Sequence, residues 1–197
     1  FLSRVNFEPN GQATVFALRG GTFVEASLEA GDFAKRRGIV PERGFFNPAR
    51  REGHKLAYLE AVDAVARPFD WYVQAVSSAI GSYGIYKAAK ELVALGRIER
   101  APRLLCVQQA TCSPMVRSFE AGSPVLRPED IVPRPQGIAS AILRGDPSRV
   151  YPYVRQIILE SGGTMAAATE AEIREARRMV EDLEGISPCF TASTAVA

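Results

Sequence analysis

What the sequence lacks narrows its reading first. Cysteine is scarce, with three residues (Cys106, Cys112 and Cys189) far apart and without CxxC spacing. An odd count at that spacing excludes a disulfide frame and a zinc site, and fits free thiols in a reducing cytosol. Histidine occurs once, at position 54, so any imidazole chemistry rests on a single side chain. No apolar run is long enough to span a bilayer, and the first residues carry no signal-peptide pattern. Charge of one sign is also missing. The net value is +2 with both signs interspersed, which implies neither nucleic acid nor an anionic membrane as a partner. No GxGxxG follows the first strand-like run and no acidic ribose partner stands at the right distance, so a dinucleotide-binding domain fits poorly. No internal repeat is present. These absences leave a soluble, cytoplasmic chain.

What is present can build a core, since 47% of the 197 residues are hydrophobic. Arginine far outnumbers lysine, which suits a GC-rich coding background at least as well as anion recognition. Thr14–Leu18 is β-prone. Thr22 with Glu25 makes a capping box for a helix over Phe23–Arg37, stopped by Gly38. Asn47-Pro48 reads as a turn before a helix from about Arg51 to Val65, with Leu56, Leu59, Ala61 and Val62 inward. Further on, Arg103–Gln108 is a buried strand, and Ser113-Pro114 opens a short helix with serine as its cap. Residues 121–137, rich in proline, read as a long ordered loop or lid. Ile138–Leu143 and Val150–Glu160 read as helical, and Thr164–Ala168 as a strand. Thr169 with Glu172 caps a periodic helix (Ile173, Ala176, Val180, Leu183) that ends at Gly185. Strands alternating with helices predict an α/β fold on a parallel sheet.

The organising stretch runs from Phe69 to Leu95. It predicts a buried strand (Trp71–Val76), a turn of small residues (Ser77–Ser82) and an amphipathic helix with Ile85, Ala88, Ala89, Leu92 and Leu95 inward. A strand that opens a helix through small residues aims free backbone amides and the positive helix end at one point, which suits phosphate. A tight strand-to-helix connection without a ligand explains the same residues equally well. The last residues (ISPCFTASTAVA) look like the approach to a further small-residue helix. With Phe1 an odd first residue, both ends look cut.

Several of these pieces, in this order, resemble the fold type II pyridoxal-phosphate enzymes, the tryptophan-synthase-β-like superfamily, and within it threonine synthase and cysteate synthase. The segment Asn47-Pro48-Ala49-Arg50-Arg51-Glu52-Gly53-His54-Lys55 is similar to the NP-x-R-x-EG-x-K pattern of that group. Val76–Gly81 stands where its phosphate loop stands. Pro102–Cys112, Ile142–Pro147, Glu160–Gly163, and Glu170–Ile173 leading to Glu184–Ile186 complete the set, which covers about residues 13–197.

The resemblance implies a three-layer α/β/α large domain over 47–197, preceded over 1–46 by the end of a smaller α/β domain, with pyridoxal 5'-phosphate in the cleft between them. It implies that Ser77, Ser78, Ala79, Ile80 and Gly81 hold the cofactor phosphate through backbone amides, with the hydroxyls of Ser77, Ser78 or Ser82 as further donors. Capping of the next helix is the plain alternative for these serines. It also implies a Ser or Thr hydroxyl facing the pyridine nitrogen. Thr191 is nearest that role, with Ser193 and Thr194 as alternatives, and any of them could be an ordinary helix cap.

The family's Schiff-base lysine and its asparagine loop lie upstream of every match. Lys35, Lys55, Lys87 and Lys90 fall on helical segments that match other parts of the pattern, so the catalytic lysine is expected outside this sequence. His54 reads as a structural polar residue, and Cys106 and Cys112 as buried small residues. Gln136–Ala139 either packs over the cofactor ring or is plain loop packing. The implied activity is β- or γ-elimination or replacement on a small amino-acid substrate that carries a leaving group such as phosphate, in a homodimer. The alternative is a non-catalytic or regulatory protein that keeps the fold and lacks the lysine.

Overall fold

The computed structural model describes residues 16–65 and 67–197. Its centre is a parallel sheet in the order β1-β2-β3, made of Trp71–Ala75, Arg103–Gln109 and Thr164–Ala168. Trp71 pairs with Arg103 and Leu105 with Thr164, so the register puts the three C-terminal strand ends at one edge.

Each helix has a local cause. Thr22 and Glu25 exchange backbone bonds to start α1 (Phe23–Arg37), and Gly38 ends it in the left-handed region at φ 64°. Asn47 caps α2 (Pro48–Ala64), and Pro48 occupies the first turn, where a missing N–H costs nothing. The Asn47-Pro48 turn of the sequence reading is therefore the helix start itself, and α2 begins earlier than Arg51. Next come α3 (Ile80–Ala94), α4 (Pro114–Glu120) and α5 (Tyr151–Ser161). The capping box at Thr169 starts α6 (Glu170–Glu184), and a short α7 (Phe190–Ser193) follows.

Helices pack on both sheet faces, but β1 is only partly covered: Trp71 and Val73 are exposed, so the strand expected to be buried is open on one face. On one face, Leu104, Cys106 and Met165 meet Ile80 and Tyr86 of α3 and Val154, Ile157 and Ile158 of α5. On the other, Val107 and Ala168 meet Ile173 of α6, with Phe190 of α7 packed against them. Outside α3 lies α2, through Tyr58, which is 3% exposed and was not foreseen as core.

Several expectations need correction. Leu56, Leu95 and Leu183 face solvent. Leu95 and Leu183 sit where their helices run past the layer that supports them. Residues 16–18 have no regular structure, and the rest of the Thr14–Leu18 strand lies outside the described residues. Ile138–Leu143 contains only a single 3-10 turn at Ser140–Ile142. Ser113 does not cap α4. Its hydroxyl donates to the Ala110 carbonyl, while Gln108 Oε1 accepts from the amides of Met115 (3.0 Å) and Val116 (3.3 Å).

Four charges fasten α2 to α3. Lys55 Nζ lies 2.9 Å from Glu52 and 2.5 Å from Glu91, and Lys87 Nζ lies 2.7 and 2.6 Å from the same two carboxylates. The hydrogen bonds from Lys55 and Lys87 bring the Glu52 carboxyl down to about 2 from an ordinary 4.5. A depressed carboxyl contributes stability above its unfolded value and loses it as pH falls through the folded one. Glu52→Gln is therefore expected to lower the melting temperature near neutral pH, with the difference shrinking between about pH 4.5 and 2. A difference that stays constant across that range in paired melting curves contradicts the role.

Candidate functional site

At the C-terminal end of β1 the ladder makes one last bond, from the Val76 amide to the Val107 carbonyl at 2.8 Å. The chain then turns through Ser77 and Ser78, both half-buried, to Ala79 at φ 55°, ψ 26°. Left-handed backbone is uncommon for a residue with a Cβ, and among the described residues only Arg43 and Ala79 adopt it without being glycine. This conformation lets the chain enter α3 directly, so the helix starts at Ile80.

The amides of Ser77 through Ser82 donate to no described residue. The first one satisfied is that of Tyr83, which donates to the Ala79 carbonyl at 3.0 Å. No side chain caps α3, which removes capping as the reason for the serines. A run of free amides at a helix N-terminus, on the carboxyl edge of a parallel sheet, is an arrangement of donors that suits an anion, and the turn is called the nest below for that shape. Ser77, Ser78, Ala79, Ile80 and Gly81 all lie on this turn. Ser82 does not face it: its side chain is fully buried, and Oγ donates to Gln74 Oε1 at 2.7 Å.

The segment Gln136–Ala139 is fastened to the end of β2. Thr111 Oγ1 donates to the Gln136 carbonyl at 2.5 Å, and the Ala139 amide donates to Gln109 Oε1 at 2.9 Å. A Cβ at position 137 would lie 2.2 Å from Gln109 Nε2, so a larger residue here would have to displace the Gln109 amide that holds the loop. Gln109 is 1% exposed and its Nε2 has no partner among the described residues. Sequence reading passed over this residue. The signal was there in RLLCVQQ, two adjacent amides ending an apolar strand.

The short helix α7 lies beside β1 and the Ser140–Ile142 turn. Its hydroxyls differ in commitment. Ser193 Oγ donates to the Cys189 carbonyl at 3.0 Å and Thr194 Oγ1 to that of Phe190 at 2.8 Å, both from fully buried positions. Thr191 is half-buried and makes no such back-bond.

The other candidates have structural roles of their own. Lys55 and Lys87 belong to the α2–α3 charge network, Lys90 pairs with Glu160, and Lys35 is exposed on α1. His54 sits where α2 crosses Gly84, whose added Cβ would lie 2.6 Å from His54 Cβ, so it is a packing residue. Burial pushes the thiols of Cys106 and Cys112 up to about 11, which leaves them protonated and unreactive near neutral pH. A cavity of about 500 Å³ opens between α2, α3 and α5, lined by Arg51, Glu52, Tyr83, Lys87 and Glu91, and it contains no residue of the nest.

Comparison with known proteins agrees with this architecture. Cysteate synthase of Methanospirillum hungatei JF-1 is 34% identical over 190 residues, covering 93% of this chain and 45% of the relative. Threonine synthase of Methanosarcina acetivorans is 33% identical over 152 residues, covering 76% of this chain and 36% of the relative. The chain thus spans less than half the length of these curated relatives. Maize serine racemase superposes with a TM-score of 0.68 at 16% identity, over 89% of this chain and 50% of that one. Threonine deaminase isoform 2 of Solanum lycopersicum, in its processed form, gives 0.66 at 16% identity, over 91% and 48%. At such identity these two establish the shared fold alone. The family model described as pyridoxal-phosphate dependent enzyme matches residues 9–197, and the chain belongs to that family.

Proposed function

We propose that this chain carries the cofactor-phosphate half of an enzyme that eliminates or replaces a β- or γ-substituent of an amino acid, in the manner of cysteate synthase or threonine synthase. The observation that carries the reading is the run of unpartnered amides from Ser77 to Ser82, on a chain whose family binds pyridoxal phosphate. The donor set fits the group: backbone N–H groups, small side chains and a helix dipole suit a dianionic phosphate. When bound, pyridoxal phosphate supplies an electron sink for the bond-breaking step.

The residues present bind and orient. Ser77, Ser78, Ala79, Ile80 and Gly81 would hold the phosphate. Thr191 would donate to the pyridine nitrogen, because a hydroxyl proton is needed there and those of Ser193 and Thr194 are given to carbonyls. A neutral donor leaves that nitrogen uncharged, which favours elimination and replacement over transamination. Gln136–Ala139, held by Gln109 and Thr111, would cover the ring and exclude water.

The reading includes residues 47–197 as the large cofactor-binding domain, 1–46 as the end of the smaller one, a Schiff-base lysine outside the sequence given, and a homodimer in the cytoplasm. Among the described residues no helix is long and apolar enough to cross a membrane.

The test is release of inorganic phosphate or a keto acid from a panel of O-phosphorylated and unsubstituted hydroxy amino acids, with and without added cofactor. Cofactor-dependent release is the expected result, and Thr191→Ala is expected to lower its rate about tenfold or more through loss of one oriented hydrogen bond. Cofactor binding without turnover of any member would favour a non-catalytic protein of the same fold.

A further inference from the structure

On the inner side of this turn, facing the core, runs a buried polar chain. Ser82 Oγ, within the first turn of α3, donates to Gln74 Oε1 of β1 at 2.7 Å and accepts from Cys106 Sγ of β2 at 3.4 Å. Ser82 and Cys106 are fully buried, and their surroundings (Val76, Ala79, Ile80, Leu104 and Met165) are apolar. In such a setting each polar partner is fixed, because an orphaned one cannot turn to water.

Two details show that the chain is built around the turn and not left over from packing. A helical serine ordinarily returns its proton to its own i−4 carbonyl, as Ser193 does. Ser82 reaches out of its helix to a strand instead. Gly81, next to it, leaves the space that the Gln74 amide fills, since an added Cβ would lie 2.4 Å from Gln74 Nε2.

We propose that Gln74, Ser82 and Cys106 form a positioning latch that holds the amides of residues 77–82 in their converging arrangement before the anion arrives. The inference rests on the reading of this turn as the cofactor-phosphate site. The physical need is clear. Parallel N–H dipoles repel one another, and Ala79 stands in backbone that a Cβ disfavours. Without ligand, something must oppose both, and the latch ties the first helical turn to two neighbouring strands. Pre-organisation of this kind appears as affinity, because the ordering is complete before binding.

The experiment compares pyridoxal phosphate with pyridoxal, which shares the ring and aldehyde and lacks the phosphate. Apparent dissociation constants are measured by absorbance and fluorescence titration of the full protein without cofactor. The forms compared are wild type, Ser82→Ala and Gln74→Met, which removes the acceptor at constant size. Circular dichroism establishes that each form is folded at the temperature used, and two variants from different elements keep the test open if one fails to fold. Ser82→Ala and Gln74→Met are expected to weaken pyridoxal phosphate about tenfold, the equivalent of one lost hydrogen bond, and to leave pyridoxal within about twofold. Parallel weakening of both ligands, or none of either, overturns the latch. A wild-type protein that binds the two ligands equally overturns the phosphate site itself, a different failure visible before any variant is made.

Discussion

Replacing Asp130 with alanine is expected to lower folding stability by about 2 kcal/mol, since a buried carboxylate is lost while its two guanidinium partners, about a third exposed, can still reach water. Its carboxylate is only 4% exposed and gathers three groups. Arg127 Nε lies at 2.7 Å, Arg117 Nε at 3.3 Å, and Ser118 Oγ donates at 2.6 Å. Arg117 also donates to the Asp130 carbonyl. This one side chain joins α4 to the proline-rich loop over residues 121–137, which has no regular structure of its own beyond a 3-10 turn at Pro128–Asp130. Alanine would remove the carboxylate shared by both guanidinium groups and the buried Ser118 hydroxyl, leaving Arg117 its bonds to the Asp130 carbonyl and to Ser113. Urea unfolding measures the loss, and limited proteolysis within 121–137 should accompany it. A loss under about 1 kcal/mol, the range of an exposed ion pair, would mean that Leu126 and Ile131 hold the loop unaided. The Arg127 guanidinium keeps the Asp130 carboxyl below its usual range, so the contribution is present at neutral pH and fades as acid protonates the folded state.

Ala79→Val is expected to weaken pyridoxal-phosphate binding about a hundredfold, through loss of a nest worth about 2–3 kcal/mol. The argument is conformational. Ala79 sits at φ 55°, where a β-branched side chain is a genuine outlier, and it is 4% exposed, so the added methyls also have no room. Valine would push the residue back to negative φ and turn the amides at 79–81 apart. Ala79→Gly separates the two causes. It relieves about 1–2 kcal/mol of left-handed strain, loses a buried methyl worth about 0.8 kcal/mol, and adds a comparable entropic loss. These offset, so the glycine variant should be near neutral in both stability and binding. Two variants that bind alike would contradict the conformational account.

How much of this was legible in the sequence depended on range. The capping boxes at Thr22 and Thr169 and the stops at Gly38 and Gly185 are local rules, and α1 and α6 have the boundaries those rules predict. The three strands fall where apolar β-prone runs predict them. Burial was less legible. Leu95 and Leu183 continue a helical period that the neighbouring layer no longer covers, and no periodicity reveals where a neighbour ends. Tyr58 is core because α3 happens to lie against it.

The turn at 77–82 was legible as a place and not as a geometry. Small residues mark the connection, yet the left-handed setting of Ala79 goes against the residue's own preference and is imposed by the packing around it. The inward role of Ser82 was hidden for the same reason. Its partner Cys106 is 24 residues away, and only the parallel register of β1 and β2 brings them together. Gln108 is a similar case. It takes the capping role expected of Ser113 because its side chain, turned inward on β2, reaches the first free amides of α4.

The central claim is that the amides from Ser77 to Ser82 receive the phosphate of the cofactor, and amide chemical shifts test it most directly. Nitrogen-15-labelled protein without cofactor would be titrated with inorganic phosphate and then with pyridoxal phosphate, following the proton–nitrogen correlation spectrum. The account predicts that the amides of residues 77–82 move downfield together, with the same set moving for both ligands and saturating at lower concentration for the cofactor. Saturable shifts confined to other residues, with these six unmoved, would contradict it and place the phosphate elsewhere in the fold.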